Sequence, residues 1–251
     1  MNKNDDNVDF GYKKVNSKEK PKLVSNIFSN VSNNYDLMND LMSAGLHRMW
    51  KNRFITHIPK FDIDYLDVAS GTGDIALRFL QEAKSKNKES KVVLSDYNID
   101  MLRIGKDKLF DKGFYKNINF LVADGEKLPF PDNSFDLITI AFGIRNFTNI
   151  DAALKEFYRV LKPFGKFLCL EFSKVNSFIE IPYNFYSFNV IPKIGKLVAD
   201  DEDAYQYLVE SIRKFPSQKQ FANMMITNNF KKVDYENLSF GIAAIHSGYK
   251  L

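Results

Sequence analysis

The chain has 251 residues, 26% of them charged, and a formal net charge of +4. That length fits one large α/β domain or two small ones with a substantial core, and so mild a charge gives no ground for nucleic-acid binding. The single cysteine, Cys169 in "GKFLCLEF", excludes an internal disulfide framework and a cysteine metal cage, and reads as a buried core residue.

The opening "MNKNDDNVDF" has no apolar stretch and no arginine-rich pattern, so neither a secretory signal nor an organellar presequence is expected. No run approaches the roughly 18 apolar residues of a membrane span. The expectation is a soluble, cytoplasmic protein. Residues 1–20 read as a polar, mobile terminus. Residues 21–60 read as a helical cap, with Met38, Leu46, Met49 and Phe54 on its apolar face and Asp36 and Asn39 as caps.

Strands and helices then alternate. "YLDVAS", "KVVLSDY", "INFLVAD", "FDLITIAFG" and "GKFLCLEFS" are apolar, strand-like runs. "DIALRFLQEAK", "IDMLRIGKDKLF" and "DAALKEFYRVLK" read as helices, the last stopped by Pro163. Continuous apolar strands separated by amphipathic helices imply a parallel sheet covered on both faces. Residues 177–200 form an aromatic insertion interrupted by Pro182 and Pro192, read as a lid, a packing element or a dimer contact. The helical "SQKQFANMMITNN" precedes "VDYENLSF" and "AAIHSGYK", two strands joined by a turn at Gly241. A hairpin there makes the sheet mixed. The simplest division is residues 1–20 as a polar terminus and 21–251 as one domain.

The first strand runs into a glycine turn, Gly71-Thr72-Gly73, which fits the dinucleotide fingerprint G-x-G-x-x-[GA]. Asp96 ends the second strand, where a ribose-binding acid is expected. Both NAD and S-adenosylmethionine fit this loop. Three features favour the second. Asp67 stands before the turn, where a carboxylate opposes a pyrophosphate but suits a ligand carrying an ammonium and a sulfonium. Asp124 ends the third strand, within reach of an adenine amino group. Tyr158 and Lys162 have dehydrogenase spacing, yet they end a helix whose dipole a lysine suits. The three acids lie at the carboxyl edge of the sheet, where such folds bind ligands. As structural alternatives, Asp67 bonds loop amides and Asp96 caps the following helix.

"YDLMNDLMSAGLHRMWK", "LPFPDNSFDLITIAFGIRNF", "YLVESIRKFPSQKQFANMM" and "GIAAIHSGYK" resemble the ubiquinone/menaquinone biosynthesis C-methyltransferases. The resemblance implies a Rossmann-like class I methyltransferase fold: a mostly parallel seven-stranded sheet with a C-terminal antiparallel hairpin and an N-terminal helical cap. It implies methylation of a ring carbon of a methoxy-polyprenyl-benzoquinol or of demethylmenaquinol, with S-adenosylmethionine as donor and no metal. By resemblance Thr72, Asp96, Asp124 and Gly125 contact the cofactor, alongside Asp67, Gly71 and Gly73 of the loop. Ala69 and Ser70 stand where many methyltransferases have glycine early in the loop, Phe164 replaces a frequent glycine after "LKP", and Ala141 stands where many family members carry serine.

Methyl transfer to carbon needs an electron-rich ring, so the site should stabilise a phenolate and exclude water. Arg145 and Asn146 of "FGIRNF" are the catalytic candidates. A guanidinium is no general base, so Arg145 would hydrogen bond a phenolate or orient a water, unless it pairs with a structural acid. His246 is a candidate proton acceptor or a core histidine. Tyr35 and Asp36 are candidates to meet substrate. The expected partner is a polyprenyl quinol; a homodimer, a quinone-synthesis complex and transient contact at the inner face of the membrane stay open. Two rival functions remain: a nicotinamide oxidoreductase, and a non-catalytic subunit of a quinone-synthesis complex.

Overall fold

We describe a computed structural model of the chain, which covers residues 6–31, 40, 43, 45–186 and 202–251. Tyr35, Asp36, Met38 and Asn39 lie outside these residues, as does the part of the aromatic insertion after residue 186.

The centre is a seven-stranded sheet. Its strands are β3 (Asp64–Val68), β4 (Lys91–Asp96), β5 (Ile118–Val122), β6 (Phe135–Ala141), β7 (Leu161–Phe172), β8 (Lys231–Leu238) and β9 (Ala243–Tyr249). Their order is β5-β4-β3-β6-β7-β9-β8. The first five run parallel, and β9 is antiparallel to both β7 and β8. Both faces of the central strands β3, β6 and β7 are buried, as parallel strands covered by helices must be, while the edge strand β5 is only half-covered. Tyr65, Leu94, Leu137 and Leu168 join one cluster with Trp50, Phe54 and Phe79. Leu66, Ile138, Ile140 and Cys169 join another with Phe157, Phe221 and Phe230.

The covering helices start on side-chain caps, which satisfy amides that have no partner in the first turn. Asn98 accepts from the Asp100 and Met101 amides at the head of Ile99–Asp111 (α4 after α3, Asp74–Ser85), so Asn98 and not Asp96 is that cap. Asn149 caps Ile150–Val160 (α5) and Ser217 forms a capping box with Gln220 on Gln218–Thr227 (α8).

Two local expectations are corrected. Within residues 1–20, read as a mobile terminus, β1 (Asn7–Phe10) and β2 (Lys13–Asn16) form an antiparallel hairpin. It is fixed by tertiary contact: Phe10 stacks on Tyr207 at 4.4 Å and the Tyr12 amide donates to Glu210 at 2.8 Å. Pro163 does not end α5, which stops at Val160; it lies in an irregularity of β7, where the register shifts between Phe135 and Leu137. There Phe164 takes a left-handed φ of 66° with its ring 80% exposed, in a conformation that glycine adopts without strain. Ala69, at the entry to the glycine loop, likewise takes a left-handed φ, of 48°.

His246 of β9 is a core residue. It is 1% exposed, its Nε2 lies 3.0 Å from the Gln218 carbonyl, and Phe221 meets its ring edge-on. Burial pushes its pKa down to about 4. A folded pKa below the unfolded value makes the unfolded chain bind the extra proton, so stability is lost as pH falls from about 6.5 towards 4. The unfolding free energy should therefore drop by about 1–2 kcal/mol more between pH 7 and pH 5 in the parent than in His246→Gln. Urea titrations at the two pH values measure this, and equal drops would show that His246 does not carry the acid limb.

Candidate active site

The strand order reverses at β3, whose neighbours are β4 on one side and β6 on the other. The chain leaves β3 and β6 in diverging directions, and a crevice opens at their carboxyl ends. A cavity partly open to solvent occupies the crevice.

One wall is the glycine turn. Gly73 ends it with φ 70° and heads α3, and a Cβ there would sit 3.0 Å from Leu94 and Leu109 side chains. The turn is tied to β4: the Gly71 amide donates to Asp96 at 2.8 Å, and the Ser70 amide to the Ser95 carbonyl. The second Asp96 oxygen accepts from the Asn98 amide at 2.8 Å, and burial raises the pKa of this carboxyl. Asp124 accepts from the Glu126 amide at 2.8 Å. At Gly125 a Cβ would fall 2.6 Å from the Phe147 ring, so only glycine fits between strand end and ring.

A roof comes from α1 (Lys20–Val31), which supplies Pro21, Val24, Ser25 and Phe28. It is latched at both ends. Lys20 Nζ donates to the Phe147 carbonyl at 2.7 Å, and the Asn98 amide donates to the Ser25 carbonyl and the Ser29 hydroxyl, each at 2.9 Å. Tyr97, Met101, Phe142 and Phe147 give the cavity apolar walls.

Of the expected cofactor residues, the structure brings Gly71, Asp96, Asp124 and Gly125 to the cavity, and leaves Asp67, Thr72 and Gly73 outside its lining. Asp67 is 1% exposed beneath the turn. It accepts from Thr139 at 2.7 Å, whose hydroxyl lies 2.6 Å from that of Tyr65, and burial pushes its pKa up to about 7. Its hydrogen bond goes to the neighbouring strand β6 rather than to the loop amides of the structural alternative. The roof on α1 and the Tyr97, Asn98 and Met101 wall were not among the sequence candidates. Their nearest signal is position, immediately after Asp96.

Arg145 and Asn146 sit in a 3-10 turn, Ile144–Asn146, after β6. Asn146 lines the cavity; Arg145 lines a second cleft behind it, under the hairpin. Arg145 donates to Glu171 at 2.8 Å and to the Phe142 carbonyl, and its side chain is 4% exposed against 1% for Glu171. Burial raises the Glu171 pKa, opposed by the Arg145 charge. Arg145 has thus taken the structural partner left open for it. Lys162 pairs with Asp64 at 2.6 Å and Asp136 at 2.9 Å, the first residue of β3 and the second of β6, so the dehydrogenase-like Tyr158 and Lys162 lie at the opposite edge of the sheet.

The cavity lining carries three carboxylates, Asp96, Asp124 and Glu126, and among the described residues no lysine, arginine or histidine. Apolar walls and three carboxylates suit a positively charged ligand better than a pyrophosphate. Fold and site together define a Rossmann-like class I methyltransferase. Residues 13–250 match the ubiE/COQ5 methyltransferase family, and the chain belongs to it. It is 56% identical over 245 residues to the ubiquinone/menaquinone biosynthesis C-methyltransferase UbiE of Rickettsia bellii, covering 97% of this chain and 99% of that protein. The corresponding Rickettsia prowazekii protein is 55% identical over 246 residues, covering 98% and 99%. Among solved structures, a SAM-dependent methyltransferase from Thermotoga maritima shares the fold with TM-score 0.61 at 16% identity, over 90% of this chain and 99% of that one. Family membership decides against the nicotinamide oxidoreductase.

Removing Arg145 would leave Glu171 buried without its counter-charge. Arg145→Ala is expected to destabilise the fold by roughly 3–5 kcal/mol, visible as a lowered melting temperature. An unchanged melt would mean that the pair does not hold the turn.

Proposed function

We infer that this chain is an S-adenosylmethionine-dependent C-methyltransferase of quinone biosynthesis. Its substrate is the ring of 2-polyprenyl-6-methoxy-1,4-benzoquinol, of demethylmenaquinol, or of both. The reading rests on family membership across almost the whole chain together with a carboxylate-lined cavity at the sheet switch point.

When bound, S-adenosylmethionine supplies an electrophilic methyl group on a sulfonium. The protein's part is to hold it, to align the ring and to keep water out. Asp96 is placed for the ribose hydroxyls, Asp124 for the adenine amino group, and Gly71 and Gly125 for close backbone approach. Thr72, Gly73 and Asp67 shape the turn from below. A quinol ring carbon becomes a good nucleophile as an adjacent hydroxyl ionises, so a hydrogen-bond donor at that oxygen assists. Asn146, on the cavity wall, is the residue we assign to meet the ring; Arg145 holds the turn that carries it.

We further propose that the enzyme acts in the cytoplasm and touches the inner face of the membrane, where a polyprenyl quinol resides. Among the described residues no helix is long and apolar enough to cross a membrane. The helix Ser177–Phe185 (α6) turns Phe178, Ile181 and Phe185 to solvent at 85%, 82% and 64% exposure. Their spacing puts them on one face. Phe240, 69% exposed, is tied to the start of α6 by the bond from the Asn176 amide to its carbonyl.

Labelled S-adenosylmethionine and a short-chain demethylated methoxy-quinol should give a product labelled on a ring carbon, read by mass spectrometry. Asp96→Ala should weaken cofactor binding by about 1–3 kcal/mol in calorimetry. Tight NADH binding without S-adenosylmethionine binding would defeat the assignment.

Anionic vesicles should retain the parent reversibly and in a salt-sensitive way, and retain Phe178→Ser/Phe185→Ser less. A folded double variant that sediments as well as the parent would instead make this face a contact with a second copy or with another protein, such as a quinone-synthesis complex.

A further inference from the structure

The side-chain oxygen of Asn146 is already occupied. Tyr207, on the helix Glu202–Lys214 (α7), donates its hydroxyl to Asn146 Oδ1 at 3.0 Å. Both residues are buried, at 4% and 9% exposure. Among the described residues the amide nitrogen of Asn146 has no hydrogen-bond partner. A tyrosine hydroxyl that donates to the oxygen selects one of the two flips of the amide. It leaves the two N–H donors as the free end, on a residue that lines the cavity.

From this we infer that Tyr207 is a positioning residue: it locks the Asn146 amide so that its N–H groups face the ring hydroxyl that must ionise. The inference rests on the reading of this cavity as the methyl-transfer site. A carboxamide free to flip would present a carbonyl to a phenolate half the time, an arrangement that repels the charge it should stabilise.

The surroundings support a donor role for Tyr207. Burial raises its pKa, so the phenol stays protonated. Its ring stacks on Phe10 of the hairpin, and its helix is held by the Tyr12 amide through Glu210. Asn146 is fixed from the other side, because its neighbour Arg145 is pinned to Glu171. The lock therefore has three supports, from the hairpin, from α7 and from the end of β7.

The test uses Tyr207→Phe, which keeps the stacked ring and removes one hydroxyl. With a short-chain quinol, kcat at neutral pH should fall about tenfold, the size of one lost hydrogen bond. S-adenosylmethionine affinity by calorimetry should stay within about twofold, since Tyr207 does not line the cofactor cavity. The acid limb of the pH–rate profile should move up by about one pH unit, because an unassisted ring hydroxyl ionises at higher pH. The other charged groups about Asn146 are the Arg145–Glu171 pair, Lys20 at the Phe147 carbonyl, and the cavity acids Asp96, Asp124 and Glu126. All are common to parent and variant, so the shift isolates the hydroxyl. Asn146→Ala should show the same displaced limb, and adding Tyr207→Phe to it should cost nothing more. An unmoved acid limb, a parent-like kcat, or additive losses in the double variant would each overturn the inference. A parent protein that methylates no quinol would overturn the reading of the site, and this inference with it.

Discussion

Everything at this site follows from one topological constraint: β3 has β4 on one side and β6 on the other, so the segments after β3 and β6 part company at the carboxyl edge. The gap cannot be filled by the sheet itself. It is closed by short-range bonds that cross from one strand end to the next. Asp96 accepts from Gly71 and so binds the loop after β3 to the end of β4. That bond leaves a carboxylate at the cavity wall and brings the glycine turn within reach of the same ligand. Gly125 does the corresponding service at the end of β5, where its missing side chain lets Phe147 close in. Groups that line the cavity are here also the groups that hold the crevice open at a fixed width.

The Arg145–Glu171 pair obeys a different logic. Taking two charges out of water costs several kcal/mol per ion, and their mutual attraction seldom returns a surplus. Such a pair is poor evidence for added stability. What it supplies is position: Arg145 also reaches the Phe142 carbonyl, so one side chain fixes both ends of the 3-10 turn relative to the end of β7. A turn of three residues has little packing of its own. A directional, buried pair restrains Asn146 where apolar contact alone would permit several arrangements.

Much of this was legible in the chain. The central parallel strands read as continuous apolar runs because both their faces are covered, and the hairpin at Gly241 announced itself by its turn. Asp96, Asp124 and Gly125 could be placed because strand ends are visible in sequence. Asp67 could not, since a strand-end position does not say whether the carboxylate faces the loop or the interior; Thr139, on the neighbouring strand, decides that. Arg145 was ambiguous for the same reason. Its partner lies 26 residues away, and the β6–β7 register, with Ala141 opposite Leu170, is what brings Glu171 beside the turn. The β1–β2 hairpin is polar and four residues to a strand, so it carries no apolar periodicity; only Phe10 and the distant α7 give it a reason to fold.

That hairpin changes how the N-terminal part of the chain should be understood. Residues 7–31 run from a contact on α7, through the Lys20 bond to the Phe147 carbonyl, to a helix that roofs the cofactor cavity. Phe147 is also the ring that Gly125 makes room for, and it follows Asn146 directly. Roof, hairpin and α7 therefore converge on the same short segment after β6. The roof bonds are few, polar and partly exposed to the cavity, whereas beneath them β7 is buried throughout from Gly165 to Phe172 and β6 from Leu137 to Ile140. Local opening free energy follows such differences in buried contact. The fold thus sets a more deeply buried floor against a lighter cover, and it joins the two at Asn146 and Phe147.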